Sequence, residues 1–418
     1  MRPFDGRTIV LGVTGGIASY KSAWLARLLT KAGAGVDAVL TRAATEFISA
    51  LTFEALTGRP SHNGLFDTGR ALDHITLAKG ADAIVVAPAT ADFLARAATG
   101  QADDLLTAIL LATNAPVLLV PAMNDHMWAH PQTQRNVRHL REIGYLVMPP
   151  EEGMLAAGEG EGPGRMPEPE TIFAHVGRLL EGKTPGVLAG RRVVVTAGPT
   201  REAVDPVRFI SNHSSGRMGV ALAHSAWRRG AEVSLIAGPL AVAAPVGPVV
   251  RHVESTEDMA QAVAEMIPAA DVLIMAAAPA DFRPSTVATQ KVKKSTEAPV
   301  LALTHTTDIL RGTITHRRAD AIVVGFALET NDVLAHGRQK LRDKSLDLVV
   351  VNDATEPGAG FSVDTNRVTL IDRDGAEEVL PLMSKADVAD AILDRVERLA
   401  NRQASQPAHA SSRELHGR

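Results

Sequence analysis

The sequence predicts an α/β protein built as two Rossmann-like domains with mainly parallel sheets. Three observations carry that reading. Short apolar runs rich in β-branched residues alternate with stretches of helical periodicity, the pattern of parallel strands buried on both faces and joined by helices. A glycine turn follows the first strand of each half, at Gly15-Gly16 and again at Gly198. The pattern also resets near residue 190, in a chain whose 418 residues exceed what one hydrophobic core usually serves.

In order along the chain, residues 8–13 read as a strand and Thr14-Gly15-Gly16 as the turn into a helix. Tyr20, Trp24, Leu25 and Leu28 have the spacing of one buried helix face, and Gly33 to Gly35 ends that helix. Strands are expected at 36–40, 83–86 and 117–120, with a helix over 103–112. A turn-rich stretch, 181–190, separates a first domain of residues 1–182 from a second of residues 190–400. The second opens with a strand at 191–196; Val220, Ala223 and Trp227 then share a helix face that Gly230 closes. Further strands are expected at 233–236, 270–277 and 321–327. Residues 401–418 are polar with almost no large apolar side chains, and a disordered tail is expected there.

Composition narrows the function. With 45% hydrophobic and 22% charged residues the chain folds rather than staying disordered. Lys+Arg 43 against Asp+Glu 47 leaves a net charge of −4, which excludes the broad positive footprint of a general nucleic-acid binder. No stretch reaches the roughly 18 apolar residues of a membrane span, so a cytoplasmic enzyme is expected. The count of zero cysteines excludes disulfides, thiolate metal sites and a cysteine nucleophile. No dedicated metal cluster is visible, and metal ligands are left unassigned.

Gly12-Val13-Thr14-Gly15-Gly16 does not have G-x-G-x-x-G spacing, and no acidic residue ends the next strand as a ribose clamp. The loop fits a phosphate-bearing ligand at a helix N-terminus better than it fits a nicotinamide dehydrogenase. Ala87-Pro88-Ala89-Thr90-Ala91 and the segment PAMNDHMW at 121–128 follow later strands, at the sheet edge where open α/β folds bind ligands. With Asp73-His74-Ile75 and Gly164-Arg165-Met166, these segments resemble the flavin-dependent cysteine decarboxylase family. The resemblance implies FMN held by Gly15, Gly16, Ile17, Thr41, Ala89, Thr90 and Ala91. It gives His74 a part in oxidative decarboxylation, sets Asn124 on the substrate carboxylate, and makes Arg165 and Met166 part of a substrate flap.

Such chemistry has a physical need for a flavin. The carboxylate of a cysteine amide has no adjacent electron sink, whereas oxidation of the thiol to a thioaldehyde sets a C=S group β to it. Loss of CO2 then leaves a stabilised enethiolate, to which the electrons return. The family's flap reads A-C-G, its cysteine donating the last proton; here the segment is Leu155-Ala156-Ala157-Gly158. Ala157 cannot donate. Either another group such as Glu159 or Glu161 does so, or the decarboxylase is impaired. Met127 and Trp128 fit core packing as well as an active-site wall.

In the second half, FISNHSSG at 209–216, KVKK at 291–294 and VGFA at 324–327 resemble the CTP-dependent phosphopantothenate–cysteine ligases. The two resemblances cover nearly all of residues 7–400, in the order of a bifunctional family of coenzyme A biosynthesis. They imply a flavoprotein fold followed by a ligase fold. The implied reactions are ligation of 4'-phosphopantothenate with cysteine through an acyl-cytidylate, then decarboxylation of the product to 4'-phosphopantetheine. Asn212 would stabilise the intermediate, Lys291 would serve its conversion, and Arg208 would join Asn212 at the substrate. CTP, with Mg2+, is expected at Ser214, Ser215, Gly216, Met275, Ala276, Ala277, Asp281, Lys291, Thr307, Asp308, Ile309, Leu310, Phe326, Lys340 and Lys344.

The residue chemistry agrees with that assignment. Charge developing on phosphate needs fixed cations and N–H donors. Ser214-Ser215-Gly216 precedes a helix, while Lys340 and Lys344 stand four apart on one helix face. Pro279 replaces the family's usual Val. The resemblance further implies a homo-oligomer in which flavoprotein trimers and ligase dimers combine as a dodecamer. A flavin-binding regulatory protein acting through its surface is the rival of a different class.

Overall fold

The computed structural model describes residues 2–65, 71–154, 158, 160–182, 186–293, 300–329, 332–353 and 363–405. The chain forms two compact units, Met1–Thr184 and Pro185–Arg418.

In the first unit, β1 (Thr8–Val13), α1 (Ser19–Lys31) and β2 (Gly35–Leu40) form the opening βαβ unit, followed by α2 (Ala50–Thr57) and α3 (Asp73–Gly80). Next come β3 (Ala83–Ala89), α4 (Ala91–Ala98), α5 (Leu105–Ala112) and β4 (Val117–Pro121). After α6 (Asp125–Ala129), α7 (Pro131–Glu142) and β5 (Leu146–Val147), the chain makes an antiparallel hairpin of β6 (Glu151–Met154) and β7 (Glu161–Arg165), then ends in α8 (Pro169–Glu181). The main sheet is parallel, in order β2-β1-β3-β4-β5. Strand order reverses between β1 and β3, which opens a crevice at their carboxyl ends. Leu25, Leu29, Phe53, Ile172 and Val176 cover one face of this sheet, and Leu77, Phe93, Leu106, Ile109 and Leu140 the other.

Helix α1 corrects the sequence reading. Tyr20 and Trp24 are 63% and 47% exposed, and the buried face is made of Ser19, Lys21, Ser22, Leu25, Ala26 and Leu29. The helix is rotated because Lys21 finds partners inside: its ammonium donates to the Met166 carbonyl at 2.8 Å and pairs with Glu168 at 3.1 Å. Trp24 lies outside with its indole N–H on Glu170 at 2.7 Å. The helix expected from residue 103 starts at Leu105 instead, where Asp104 and Thr107 form a capping box.

The second unit opens with β8 (Arg192–Ala197), a hairpin of β9 (Arg201–Ala203) and β10 (Phe209–Ser211), and α9 (Arg217–Arg228). It continues through β11 (Glu232–Ala237), β12 (Val249–His252), α10 (Thr256–Met266) and β13 (Val272–Met275), then a hairpin of β14 (Phe282–Pro284) and β15 (Leu303–His305). Then come α11 (Ile309–Thr313), β16 (Ile322–Glu329), α12 (Val333–Asp343), β17 (Leu348–Asp353), β18 (Thr365–Asn366), β19 (Val368–Asp372), β20 (Glu377–Val379), β21 (Met383–Ser384) and α13 (Lys385–Ser405).

Its main sheet runs β12-β11-β8-β13-β16-β17-β19-β20, parallel as far as β17 and antiparallel beyond. Met259, Val263, Ile309, Leu310 and Leu341 pack on one face. The strand expected at 270–277 is shorter, because the chain leaves the sheet after Met275. The expected tail is also corrected. Residues 401–405 continue α13, anchored by buried Leu399 and Ala400, with Arg402 on Asp374 at 3.3 Å and the Ser405 hydroxyl on the Asn401 carbonyl at 2.8 Å. Residues 406–418 lie outside the described residues.

Candidate functional site

At the crevice of the first sheet lies a cavity of about 400 Å3, a size that suits a small cofactor. Gly15, Gly16, Ile17, Thr90, Ala91, Asn124, Arg165 and Met166 line it. Close packing dictates two glycines. A Cβ on Gly15 would come within 2.4 Å of the Ala43 Cβ, and one on Gly164 within 2.1 Å of the Met123 carbonyl oxygen. Thr14 ties the loops after β1 and β3 together: its hydroxyl donates to the Pro88 carbonyl at 2.8 Å and accepts from the Thr90 N–H at 3.1 Å. Thr90 in turn caps α4, accepting from the Phe93 N–H at 3.3 Å. The remaining N–H groups of this helix start suit an anionic group.

Asn124 caps α6 at the opposite wall. Its Oδ1 accepts from the His126 N–H at 2.9 Å, which fixes the amide and leaves its NH2 as the donor for a carboxylate. Strand β7 is tied to this segment through the Met123 N–H, which donates to the Gly164 carbonyl at 3.0 Å. Arg165 and Lys21 share the carboxylate of Glu168.

Three expected residues stand off the cavity. Thr41 is buried at the end of β2, where its hydroxyl accepts from the Ala44 N–H at 3.3 Å, and Ala89 is buried as the last residue of β3. His74 is in the first turn of α3 and does not line the wall; its Nδ1 is buried and finds no partner among the described residues. Ala157 and Glu159 lie outside the described residues, while Glu161 is exposed on β7. Met127 is 50% exposed and lines the cavity, whereas Trp128 packs on the core. Lys21 and Met154 line the wall unforeseen. The signal for Lys21 was its position four residues before buried Leu25, on the same helix face.

The second unit has a cavity of about 520 Å3 at the carboxyl ends of β13 and β16. Met275, Ala277, Asp281, Thr307, Asp308, Ile309, Leu310, Phe326, Lys340 and Lys344 line it, together with the unforeseen His305, His336, Gln339 and Asp343. Lys340 donates to the Phe326 carbonyl at 2.7 Å. Asp308 caps α11, accepting from the Arg311 N–H at 3.1 Å, and forms an ion pair with Lys344. Burial opposes its ionisation, but Lys344 and the Arg311 N–H outweigh burial and hold Asp308 below the usual carboxylate range.

Ser214, Ser215, Gly216, Ala276 and Lys291 do not line this cavity. Asn212 is beside it: its Nδ2 donates to the carbonyls of Ala278 at 3.2 Å and Pro279 at 3.0 Å. Arg208 is held by Asp205, with its Nε on Oδ2 at 2.9 Å, and it also donates to the Val292 carbonyl at 2.7 Å. The Val292 N–H donates back to Asp205 at 3.1 Å, which anchors the loop carrying exposed Lys291. Arg208 foremost, with these N–H donors, holds Asp205 well below the usual carboxylate range. Among the described residues no group of three or more His, Asp or Glu side chains could hold a metal ion. No helix of the described residues is long and apolar enough to cross a membrane.

Residues 2–181 match the family model described as Flavoprotein, and residues 188–399 the one described as DNA/pantothenate metabolism flavoprotein C-terminal domain. Among similar proteins is the coenzyme A biosynthesis bifunctional protein CoaBC of Mycobacterium tuberculosis (strain ATCC 25618 / H37Rv), 47% identical over 403 residues, with 93% of this chain and 96% of that protein covered. The protein of the same name from Bacillus subtilis (strain 168) is 44% identical, covering 95% of this chain and 98% of its own length. Solved structures with some likeness include the C-terminal domain of a CoaBC, 39% identical with a TM-score of 0.45 over 51% of this chain and 98% of that one. The FMN binding protein AtHal3 is 32% identical, with a TM-score of 0.36 over 41% of this chain and 94% of its own.

The fold and its two cavities therefore define a two-domain α/β flavoprotein whose second domain is of the pantothenate-metabolism type. The chain belongs to the family of coenzyme A biosynthesis bifunctional proteins. It is an enzyme with a decarboxylase domain followed by a ligase domain.

Proposed function

We propose that the second domain joins 4'-phosphopantothenate to cysteine at the expense of CTP and Mg2+, and that the first, with FMN, decarboxylates the product. The observation that carries the decarboxylase half is the pairing, across one cavity, of the Gly15-Gly16 loop with the fixed amide of Asn124 under the flap. FMN fits that cradle, where glycine backbone approaches closely and the start of α4 offers N–H donors to a phosphate. Gly15, Gly16, Ile17, Thr90 and Ala91 would hold it, with Thr41 and Ala89 shaping the strand ends beneath. When bound, the flavin supplies the two-electron oxidation that creates the electron sink for CO2 loss. Asn124 binds and orients the substrate carboxylate, Arg165 and Met166 close over it, and His74 handles the proton.

In the ligase half, Lys340 and Lys344 supply fixed positive charge, and Asp308 to Leu310 shape the nucleotide seat. Asn212 orders the loop at Ala278 and Pro279 where the acyl-cytidylate would lie. Ser214 to Gly216 and Lys291 stand outside the cavity of one chain. With His74 also off the first cavity, this supports a homo-oligomer in which neighbouring copies complete both sites, a dodecamer in the family's arrangement. No role for nucleic acid or membrane follows from these sites, and a cytoplasmic setting fits them.

Mass spectrometry after incubation with 4'-phosphopantothenate, cysteine, CTP and Mg2+ tests the reading. The expected product is 4'-phosphopantetheine, with pyrophosphate released. A product that keeps its carboxylate removes the decarboxylase half, and equal turnover with ATP removes the preference for CTP.

A further inference from the structure

His74 lies in the first turn of α3, yet no hydrogen bond to its buried Nδ1 orients the ring among the described residues. In most acid–base histidines a bond to the second nitrogen sets tautomer and direction. With no such bond at Nδ1 among the described residues, the backbone that carries the residue has a larger share in setting its direction. Helix α3 has no side-chain cap at Leu72. The residue before His74 supplies the anchor instead: Oδ2 of Asp73 meets Nδ1 of His62 at 3.1 Å, with the two side chains only 23% and 15% exposed.

His62 is itself fixed to the sheet. Its N–H donates to the Ala38 carbonyl at 2.9 Å and its own carbonyl accepts from the Leu40 N–H at 2.8 Å, so it runs parallel to β2 beside Val39. One imidazole and one carboxylate thus connect the edge of the sheet to the first turn of the helix that bears His74. Neutral or charged, the His62 ring can present an N–H at Nδ1 to this carboxylate. Asp73 also suits a first helical turn, where negative charge faces unpaired N–H groups.

We propose that His62 and Asp73 are a positioning pair for the decarboxylation reaction, setting the attitude of the His74 ring without touching substrate. This rests on the reading of His74 as a group that acts on the substrate. Neither member of the pair lines the first cavity. A displacement of the helix start would be felt at His74 and not in the ligase domain.

The test uses the full chain, so that ligase turnover reports on the rest of the molecule. His62→Ala removes the ring, while His62→Asn returns an N–H donor close to the Nδ1 position. His62→Ala is expected to lower the kcat for decarboxylation about tenfold with KM within about twofold, since small misplacements of acting groups cost this much. His62→Asn should recover most of the rate, and ligase turnover should not change. Without flavin or substrate, the ring NMR signals of His74, identified by their loss in His74→Gln, should move in His62→Ala and return in His62→Asn.

An unchanged kcat in His62→Ala, beside a disabled His74→Gln, overturns the pair's role while leaving His74 in place. A loss that His62→Asn does not restore, or that accompanies loss of bound flavin, assigns the pair to folding and overturns it as well. If His74→Gln itself turns over normally, the reading of His74 falls and the proposal falls with it.

Discussion

Lys340 donates its ammonium N–H to the carbonyl oxygen of Phe326 at 2.7 Å, so the charge is presented to the cavity of the second unit from a point fixed on β16. Lys344, one turn on, is held by Asp308 and, on the proposed reading, would exchange that carboxylate for a phosphate. Replacing either lysine with Gln is expected to weaken CTP binding. Losing a hydrogen bond to a charged group costs roughly 1.5–3 kcal/mol, or about tenfold or more in Kd, and Lys340→Gln should show the larger effect. Calorimetric titration with CTP checks this, with the flavin spectrum unaffected; titrations matching the parent would make the two lysines ordinary solvated charges.

Asn212 spends its amide N–H groups on two loop carbonyls, at Ala278 and Pro279. In Asn212→Asp a carboxylate would face both of those oxygens and would repel a phosphate-bearing intermediate. Ligase turnover should fall on the order of 10²-fold or more, with circular dichroism unchanged. The pyrophosphate release rate measures it, and normal release would remove Asn212 from the site.

Gly164→Ala would drive a Cβ against the Met123 carbonyl oxygen, next to Asn124. Overpacking of this kind costs about 1–3 kcal/mol, and β7 must shift away from Met123 to relieve it. Decarboxylation should drop while ligation continues. Calorimetry should show a lower unfolding temperature for the first domain alone, and a shift in the second domain's transition would contradict the local explanation.

The second domain should be sensitive to acid through His224. Burial, and after it the neighbouring Arg228, push this imidazole down to about 4, against about 6.5 in an unfolded chain. Between those values the unfolded state binds the extra proton, so stability rises with pH. The His224 contribution is complete above about pH 6.5, and is lost as pH falls toward 4. His224→Phe should flatten that part of the unfolding-temperature profile; an unaltered acid limb would exclude His224 as its origin.

The strands were legible because parallel strands covered on both faces must be continuous apolar runs, as at Ile9 to Leu11 and Val193 to Val195. The face of α1 was not. Tyr20 and Trp24 have a helical apolar spacing, but the inward position belongs to Lys21, whose partners Met166 and Glu168 lie about 145 residues further along. Cavity-lining positions that follow strand ends, such as Thr90 and Asn124, lie in local motifs. His305 and His336 reach the second cavity from β15 and α12, and only the tertiary fold brings them together. The His62 to Asp73 contact likewise joins a sheet edge to a helix start that no local motif links in the sequence.

Helix α13 packs its acidic face on the end of α9: Asp390 takes Arg228 at 2.6 Å, and Asp394 and Glu397 take Arg229 at 2.9 and 3.3 Å. Arg228 and Asp390 are 162 residues apart in sequence. During synthesis the first domain has all its elements through α8 before β8 leaves the ribosome, and it can close its core as a unit. Arg228 and Arg229, at the end of α9, must instead stay hydrated until α13 is made, because burying them unpaired is costly. Folding of the second domain is therefore a late step in the life of each nascent chain, whereas the flavin domain can be complete while translation is still under way.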